Sequence, residues 1–340
     1  MRFGFLYFAR DLEQIGSTVR LAERLGFHLI GLPDSPALAF DPYIALTLAA
    51  QASSRVRLGP AVTNPQTRHP LIIANLAASF ERLAPGRTFL GLGTGYSGVA
   101  HAGAQPASLA KLAETVRVTR RLLTGEAVEA DGARLAIKVG GAPVPILLAA
   151  SGPRILRLAG EIADVALFNL GATPGTVSEA LRFIAEGAEA AGRDPAEIES
   201  WLYTPAAVAT DGAQARDEVR NAAVSSAAFT LRRNPAAKGI PPGLEDKIAR
   251  LIREYQFGEH LSPGHSANYH LAERLGLVDY VLERFSLAGT PEECCRKIEN
   301  LRSVGLENVC FNLSASPDLP AALRLYGEMV LPAFAGETTG

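Results

Sequence analysis

Charge of one sign, cysteine and long apolar runs are all scarce in this chain of 340 residues. Lysine and arginine total 33 against 35 aspartates and glutamates, a net charge of -2. The two signs are interspersed, so no basic field exists to hold nucleic acid or an anionic membrane. The cysteines, Cys294, Cys295 and Cys310, fit neither a disulfide framework nor a zinc spacing. No apolar run approaches the roughly 20 residues of a membrane helix. Asp11 and Glu13 fall where a signal peptide would need apolar residues. A cytoplasmic protein with no membrane or nucleic-acid partner is therefore expected. Core material is plentiful, with 48% of residues hydrophobic and 20% charged. The length suits two average domains or one large barrel.

Short β-prone runs alternate with helical periodicity along the chain. The patterns predict strands over 3–8, 28–34, 88–95, 144–151, 164–170, 200–209 and 308–313, with a further one opening the stretch Arg55–Pro70. Helix signals separate them: Gly26 as a C-cap, Asp41 before Pro42, and Ser108 and Gly125 at the two ends of one pattern. Further helices are predicted over 153–161, 174–192, 211–224 and 317–329, and Asp131-Gly132 marks a small hairpin. Eight β-α units point to an α/β fold, a TIM (β/α)8 barrel rather than an open doubly wound sheet. The whole chain, 1–340, is expected to be one such domain. Residues 225–288 break the pattern and should form a mainly helical insertion between strands seven and eight, with helices near 244–256 and 267–284. On the C-terminal side of strand seven, this segment reads as a lid over the barrel mouth.

By the barrel rule, site residues lie where strands end. Those ends hold few strong acids, bases or nucleophiles: Asp34, Ser35, His69, Tyr96, Ser151 and Arg154. No Ser-His-Asp set, carboxylate pair or metal-ligand cluster stands out. Glycines and small polar residues recur instead, which suits a flat, polar-edged cofactor that performs the chemistry itself. Ser151-Gly152-Pro153-Arg154 opens a helix whose free N–H groups make a ready anion site, although an ordinary turn capped by Ser151 reads equally well. The glycines at 91, 93, 95 and 98 lack dinucleotide-binding spacing, and the next helix is expected some ten residues on. His260, His265 and His270 recur every five residues and read as polar loop positions, not metal ligands. In "RVRLGPAVTNPQTRHP", Gly59-Pro60 reads as a bulge, and Arg68-His69 as the anchor of the next helix.

"GPAVTNPQTRHP", "GRTFLGLGTGYSG", "ASGPRILRLAGEIADVAL" and "LAGTPEECCRKIENLRSVGLENV" occur in this order over nearly the whole chain. Together they resemble the bacterial-luciferase-like oxidoreductases, in particular the branch around methylenetetrahydromethanopterin reductase. The resemblance implies a TIM barrel with an insertion before strand eight, and FMN or the deazaflavin coenzyme F420 at the C-terminal mouth, with slight preference for the deazaflavin. It implies a hydride transferred between that cofactor and a small organic molecule. It further implies a non-prolyl cis peptide at Ala61–Val62, followed by Thr63, backing the central ring. Backbone contacts at Gly93, Thr94 and Gly95 and a phosphate site at Ser151, Gly152, Pro153 and Arg154 also match. Asp34 and Ser35 fall where several relatives carry an acid-histidine pair. Ser35, Tyr96 and Leu6 replace the histidine, glutamate and acid of better-known members, so their acid-base chemistry is not carried over. Asp34 is the candidate catalytic group, and Tyr7, Arg68 and His260 are candidates to meet substrate. Family precedent implies a homodimer packed through helices two and three. Two alternatives are an FMN-dependent monooxygenase fed by a partner flavin reductase, and a hydrolase or lyase acting on a phosphorylated substrate.

Overall fold

The computed structural model describes residues 1–130, 132–260 and 265–335. Eight parallel strands carry the fold: β1 (Arg2–Leu6), β2 (Leu29–Leu32), β3 (Arg57–Pro60), β4 (Leu90–Leu92), β5 (Ile146–Ala150), β6 (Val165–Phe168), β7 (Glu199–Val208) and β8 (Asn308–Asn312). Their order is β3-β2-β1-β8-β7-β6-β5-β4. Parallel bridges from Leu58 to Thr88 and from Thr63 to Leu92 bring β3 against β4 and close the ring. The architecture is the (β/α)8 barrel that the alternation of patterns predicts.

Where β3 meets β4, the backbones come unusually close. A Cβ at Gly59 would lie 2.1 Å from the Phe89 carbonyl, and one at Gly91 would lie 2.1 Å from that of Pro60. Only glycine fits there. Pro60 has no N–H to give. The ladder resumes beyond it, with Thr63 N–H donating to Gly91 and Gly93 N–H to Thr63, each at 3.0 Å. Gly59-Pro60 thus interrupts the strand without ending it, and the Ala61–Val62 peptide bond in the gap is cis, as the resemblance implies.

Side chains alternate about the wall, as strand geometry requires. Leu6, Leu29, Phe89, Leu147 and Trp201 fill the barrel interior. Phe3, Phe5 and Tyr7 point outward, under the helices. At the N-terminal end, Glu199 accepts from Trp201 Nε1 at 2.7 Å and pairs with Arg57 at 2.8 Å and Arg2 at 3.3 Å. That end is plugged, which leaves the C-terminal mouth for function.

Several boundaries differ from the patterns. The helix after β7 runs from Gly212 to Leu231, through the first residues expected to be irregular. The segment predicted near 267–284 is two helices, Ala267–Arg274 and Val278–Phe285, because Gly276 between them sits at φ +63°. Leu287–Gly289 adds a short strand to Ala206–Val208. A short helix, Ser97–His101, begins two residues after Gly95, not ten, and Gly95 (φ +87°) allows the turn. The hairpin forms with Val128 opposite Leu135 and Gly132 at φ +74°, while Asp131 lies outside the described residues. The described residues between Arg232 and Ser286 are mainly helical, with Ile248, Leu251 and Phe285 in a core of their own beside the helix Gly212–Leu231. Among the described residues no helix is long and apolar enough to cross a membrane.

Candidate active site

Two cavities meet at the barrel mouth. One, of about 220 Å³, is a slot between Ala61-Val62, the Gly93–Gly95 turn, Leu167 and the helix Gly212–Leu231. The second, of about 470 Å³, extends outward past the start of the helix Pro153–Ile162. Thr94, Gly95, Tyr96, Ser151, Ile155 and Phe229 border both, so the two are continuous.

The slot is mostly apolar. Val62 Cγ2 lies close under Gly93, where a Cβ would stand 2.8 Å from it. Aromatic side chains form the roof: Tyr96 packs on Phe229 at 4.5 Å, on Phe257 at 5.3 Å and on His260 at 5.2 Å between ring centres. Leu6, Ser35 and Tyr96, the three positions at which the resemblance implies a departure from better-known members, all line the slot. Ser35 bonds Ser97 at 3.1 Å across the mouth. Burial raises the Tyr96 phenol pKa, partly opposed by Arg232, so it stays protonated at neutral pH.

Asp34 borders the slot with its carboxylate committed elsewhere. Its Oδ2 accepts from Arg68 Nε at 2.6 Å and from the Thr63 hydroxyl at 2.7 Å. Arg68 also donates to Asp41 at 2.7 Å and lies over the Tyr43 ring. The acid holds β2, β3 and the turn beyond β3 in register. Arg68 and Thr63 serve that clamp and line neither cavity, so the structure places Arg68, expected to meet substrate, beside Asp34 and outside the slot. Tyr7 is likewise displaced from the site: it is 7% exposed and packs on Phe5 at 5.6 Å in the outer layer. One residue beyond inward-facing Leu6, it has the opposite facing. His69 caps the helix Pro70–Leu83 by accepting from Leu71 N–H at 3.2 Å, the anchoring role expected of it.

His260 does reach the slot. Its Nδ1 lies 2.8 Å from the Tyr255 hydroxyl, which donates to Ser225 Oγ at 2.9 Å. Burial, with the charge of His101 second, lowers the imidazole pKa to about 4, so it is neutral at pH 7. Tyr255 and Ser225 carry no sequence signal of their own; they follow from the insertion folding back on the helix Gly212–Leu231.

The outer cavity has a different character. Arg154, Arg157, Arg232, Arg233 and Lys238 line it and, among the described residues, no acidic one does. The helix Pro153–Ile162 begins at Gly152 without a side-chain cap, so its first N–H groups are open to the cavity. The anion-site reading of Ser151–Arg154 is therefore favoured over the simple turn, since Ser151 does not cap the helix. Arg232, Arg233 and Lys238, in "RRNPAAKG", were visible as charges within the insertion, but no pattern placed them beside strand five.

Comparison with known proteins follows the same lines. The sequence model of the luciferase-like monooxygenase family matches residues 1–308. The chain is 31% identical to 5,10-methylenetetrahydromethanopterin reductase of Methanolobus tindarius, over 97% of this chain and 100% of that protein. It is 30% identical to an F420-dependent glucose-6-phosphate dehydrogenase of Nakamurella multipartita, over 98% and 96% of the two chains. The solved coenzyme F420-dependent tetrahydromethanopterin reductase of Methanopyrus kandleri superposes with a TM-score of 0.79 at 28% identity, covering 98% of this chain and 99% of that one. The chain belongs to the luciferase-like monooxygenase family.

Proposed function

We propose that the protein is an oxidoreductase that uses the deazaflavin coenzyme F420 to move a hydride to or from a small organic substrate. The observation that carries this reading is the continuity of an apolar, aromatic-roofed slot with an outer cavity lined, among the described residues, by five basic side chains and no acid. A flat ring bearing a phosphorylated tail has that polarity. The F420-dependent relatives, similar over nearly the full length, support the choice of cofactor. When bound, the deazaflavin supplies two-electron hydride chemistry.

The chain's own residues then position and protonate. Ala61 and Val62 back the ring, while Gly93, Thr94 and Gly95 let backbone approach its edge. Ser151, Gly152, Pro153 and Arg154 receive the phosphate at the helix N-terminus. Asp34 keeps the mouth in register through Arg68 and Thr63 and with Ser35 borders the ring. The ionisable side chains lining the slot are Asp34, Tyr96, Tyr203 and His260. Asp34 is ion-paired and burial raises both phenols, which leaves neutral His260 as the group that exchanges a proton with substrate. Phe40, Ile44 and Ile72, each about half exposed on or beside the helices Pro42–Gln51 and Pro70–Leu83, favour a homodimer through that face.

Separate titrations with coenzyme F420 and with FMN test the reading. Micromolar or tighter binding of the deazaflavin, with FMN weaker, is expected. FMN bound tightly and the deazaflavin not at all would favour the monooxygenase reading with a partner reductase. Neither cofactor bound, with turnover of phosphate esters, would favour the hydrolase.

A further inference from the structure

Lys238 is a buried cation placed beside other positive charge. It is 4% exposed, yet it lines the outer cavity. A Cβ at Gly152 would meet its Cε at 3.2 Å and its Nζ at 3.4 Å, so the ammonium lies against the start of the helix Pro153–Ile162. That helix end carries partial positive charge. Arg154 and Arg233 lie on the same cavity wall. The described residues supply Nζ with one acceptor, the Thr230 carbonyl, against its three N–H bonds. Burial, then the charges of Arg284 and Arg233, lower its pKa to about 8. A buried ammonium facing a helix N-terminus with no carboxylate between them is unfavourable alone and favourable around an anion.

The surrounding chain delivers this side chain. Asn234 and Gly239, both left-handed at φ 49° and +57°, bracket the single turn Pro235–Lys238. Arg284 fixes the turn's exit, donating to the Gly239 carbonyl at 2.8 Å, to that of Lys238, and to that of Leu170 at the end of β6 at 3.2 Å.

We propose that Lys238 is the insertion's ligand for the cofactor's phosphate ester, held between its ammonium and the backbone N–H groups that follow Gly152. The anion then bridges the insertion and the barrel, with Arg154 and Arg233 at its outer edge. This rests on the proposed function for the identity of the phosphate ester, but the anion site itself does not depend on which ring is attached.

The test compares the phosphorylated deazaflavin with the corresponding deazariboflavin lacking phosphate and tail, by equilibrium binding to wild type, Lys238→Met and Lys238→Arg. Lys238→Met is expected to weaken the phosphorylated form about tenfold to a hundredfold and to leave the dephosphorylated form unchanged. Lys238→Arg should retain most of the affinity. Equal affinities for wild type and Lys238→Met, or equal loss of both ligands, would overturn the assignment. If wild type binds no deazaflavin, the function reading fails, and FMN against riboflavin takes the same place. If no ring binds, inorganic phosphate against chloride at matched ionic strength decides. A rise in Tm with phosphate in wild type but not in Lys238→Met supports the site, and no rise in wild type overturns it.

Discussion

Arg68 Nε lies 2.6 Å from Oδ2 of Asp34, whose side chain is 2% exposed at the edge of the slot. The pair ties the end of β2 to the turn after β3, and the Thr63 hydroxyl completes the acceptor set. A buried charge stripped of its partner is costly, whereas a cation that keeps a second partner is less so. Arg68→Ala leaves Asp34 with a single hydroxyl and should lower stability by about 3 kcal/mol. Asp34→Ala leaves Arg68 on Asp41 and should cost less. Urea unfolding of the two single mutants and the double mutant measures the order and the coupling. The reverse order, or additive effects, would remove the clamp from the account.

His260 makes the low-pH behaviour specific. Below 6.5 the unfolded imidazole takes up a proton, while the folded one stays neutral until about 4. The folded state therefore loses stability as pH falls from 6.5 to 4, and the contribution is intact above 6.5. His260→Gln should flatten that part of the stability profile. It should also cut turnover about a hundredfold if the imidazole exchanges a proton with substrate. Unchanged turnover would leave His260 as a roof element only.

Glu23 ties the helix Ile15–Arg24 to the approach to β3. Its Oε2 accepts from Arg55 and Val56 N–H at 2.7 and 2.9 Å, and the Ser54 N–H and hydroxyl add to the set. Partial burial raises the carboxyl pKa, but the Val56, Arg55 and Ser54 donors prevail and lower it to about 2. The unfolded carboxyl protonates near 4.5, so this contribution is complete above that pH and disappears as pH falls to about 2. Glu23→Gln should lose about 1–2 kcal/mol at pH 7 and little at pH 2. Thermal unfolding at the two pH values reads the difference, and an equal loss at both would contradict the ionic origin.

Gly91→Ala places a methyl 2.1 Å from the Pro60 carbonyl, against backbone that cannot swing aside. Separation of β3 from β4 at the barrel seam should cost 3 kcal/mol or about that. Gly175→Ala is the control, since nothing lies within 4 Å of a Cβ there. Equal Tm values for the two variants would refute the tight crossing.

How much of this was legible follows from local physics. Strand ends announce themselves through Gly, Pro and Asn, so Asp34, Ala61, Val62, Gly93, Thr94, Gly95 and Ser151 could be placed at one mouth before any coordinates. Tyr7 was misplaced because its strand is apolar on both faces; Leu6 and Tyr7 differ in facing by one residue, and the pattern "FGFLYF" does not say which faces inward. Arg68 looked available because its partners, Asp34 and Asp41, lie 34 and 27 residues away in the chain. The insertion was the least readable part. Its roles depend on Lys238, Tyr255 and His260 returning to the barrel over long sequence separations, and no periodicity encodes that return. Gly276, which divides the helix predicted near 267–284, is the local signal for that break.

The proposed cofactor lies across two continuous cavities, its ring in the apolar slot and its phosphate in the basic pocket. Equilibrium binding of oxidised coenzyme F420, followed by the cofactor's own absorbance and fluorescence, tests it most directly. The account predicts saturable one-to-one binding at micromolar or lower concentration, weaker binding of FMN, and loss of affinity as salt rises, since the phosphate end is electrostatic. No saturable binding of the deazaflavin up to hundreds of micromolar, at low salt and neutral pH, would contradict it.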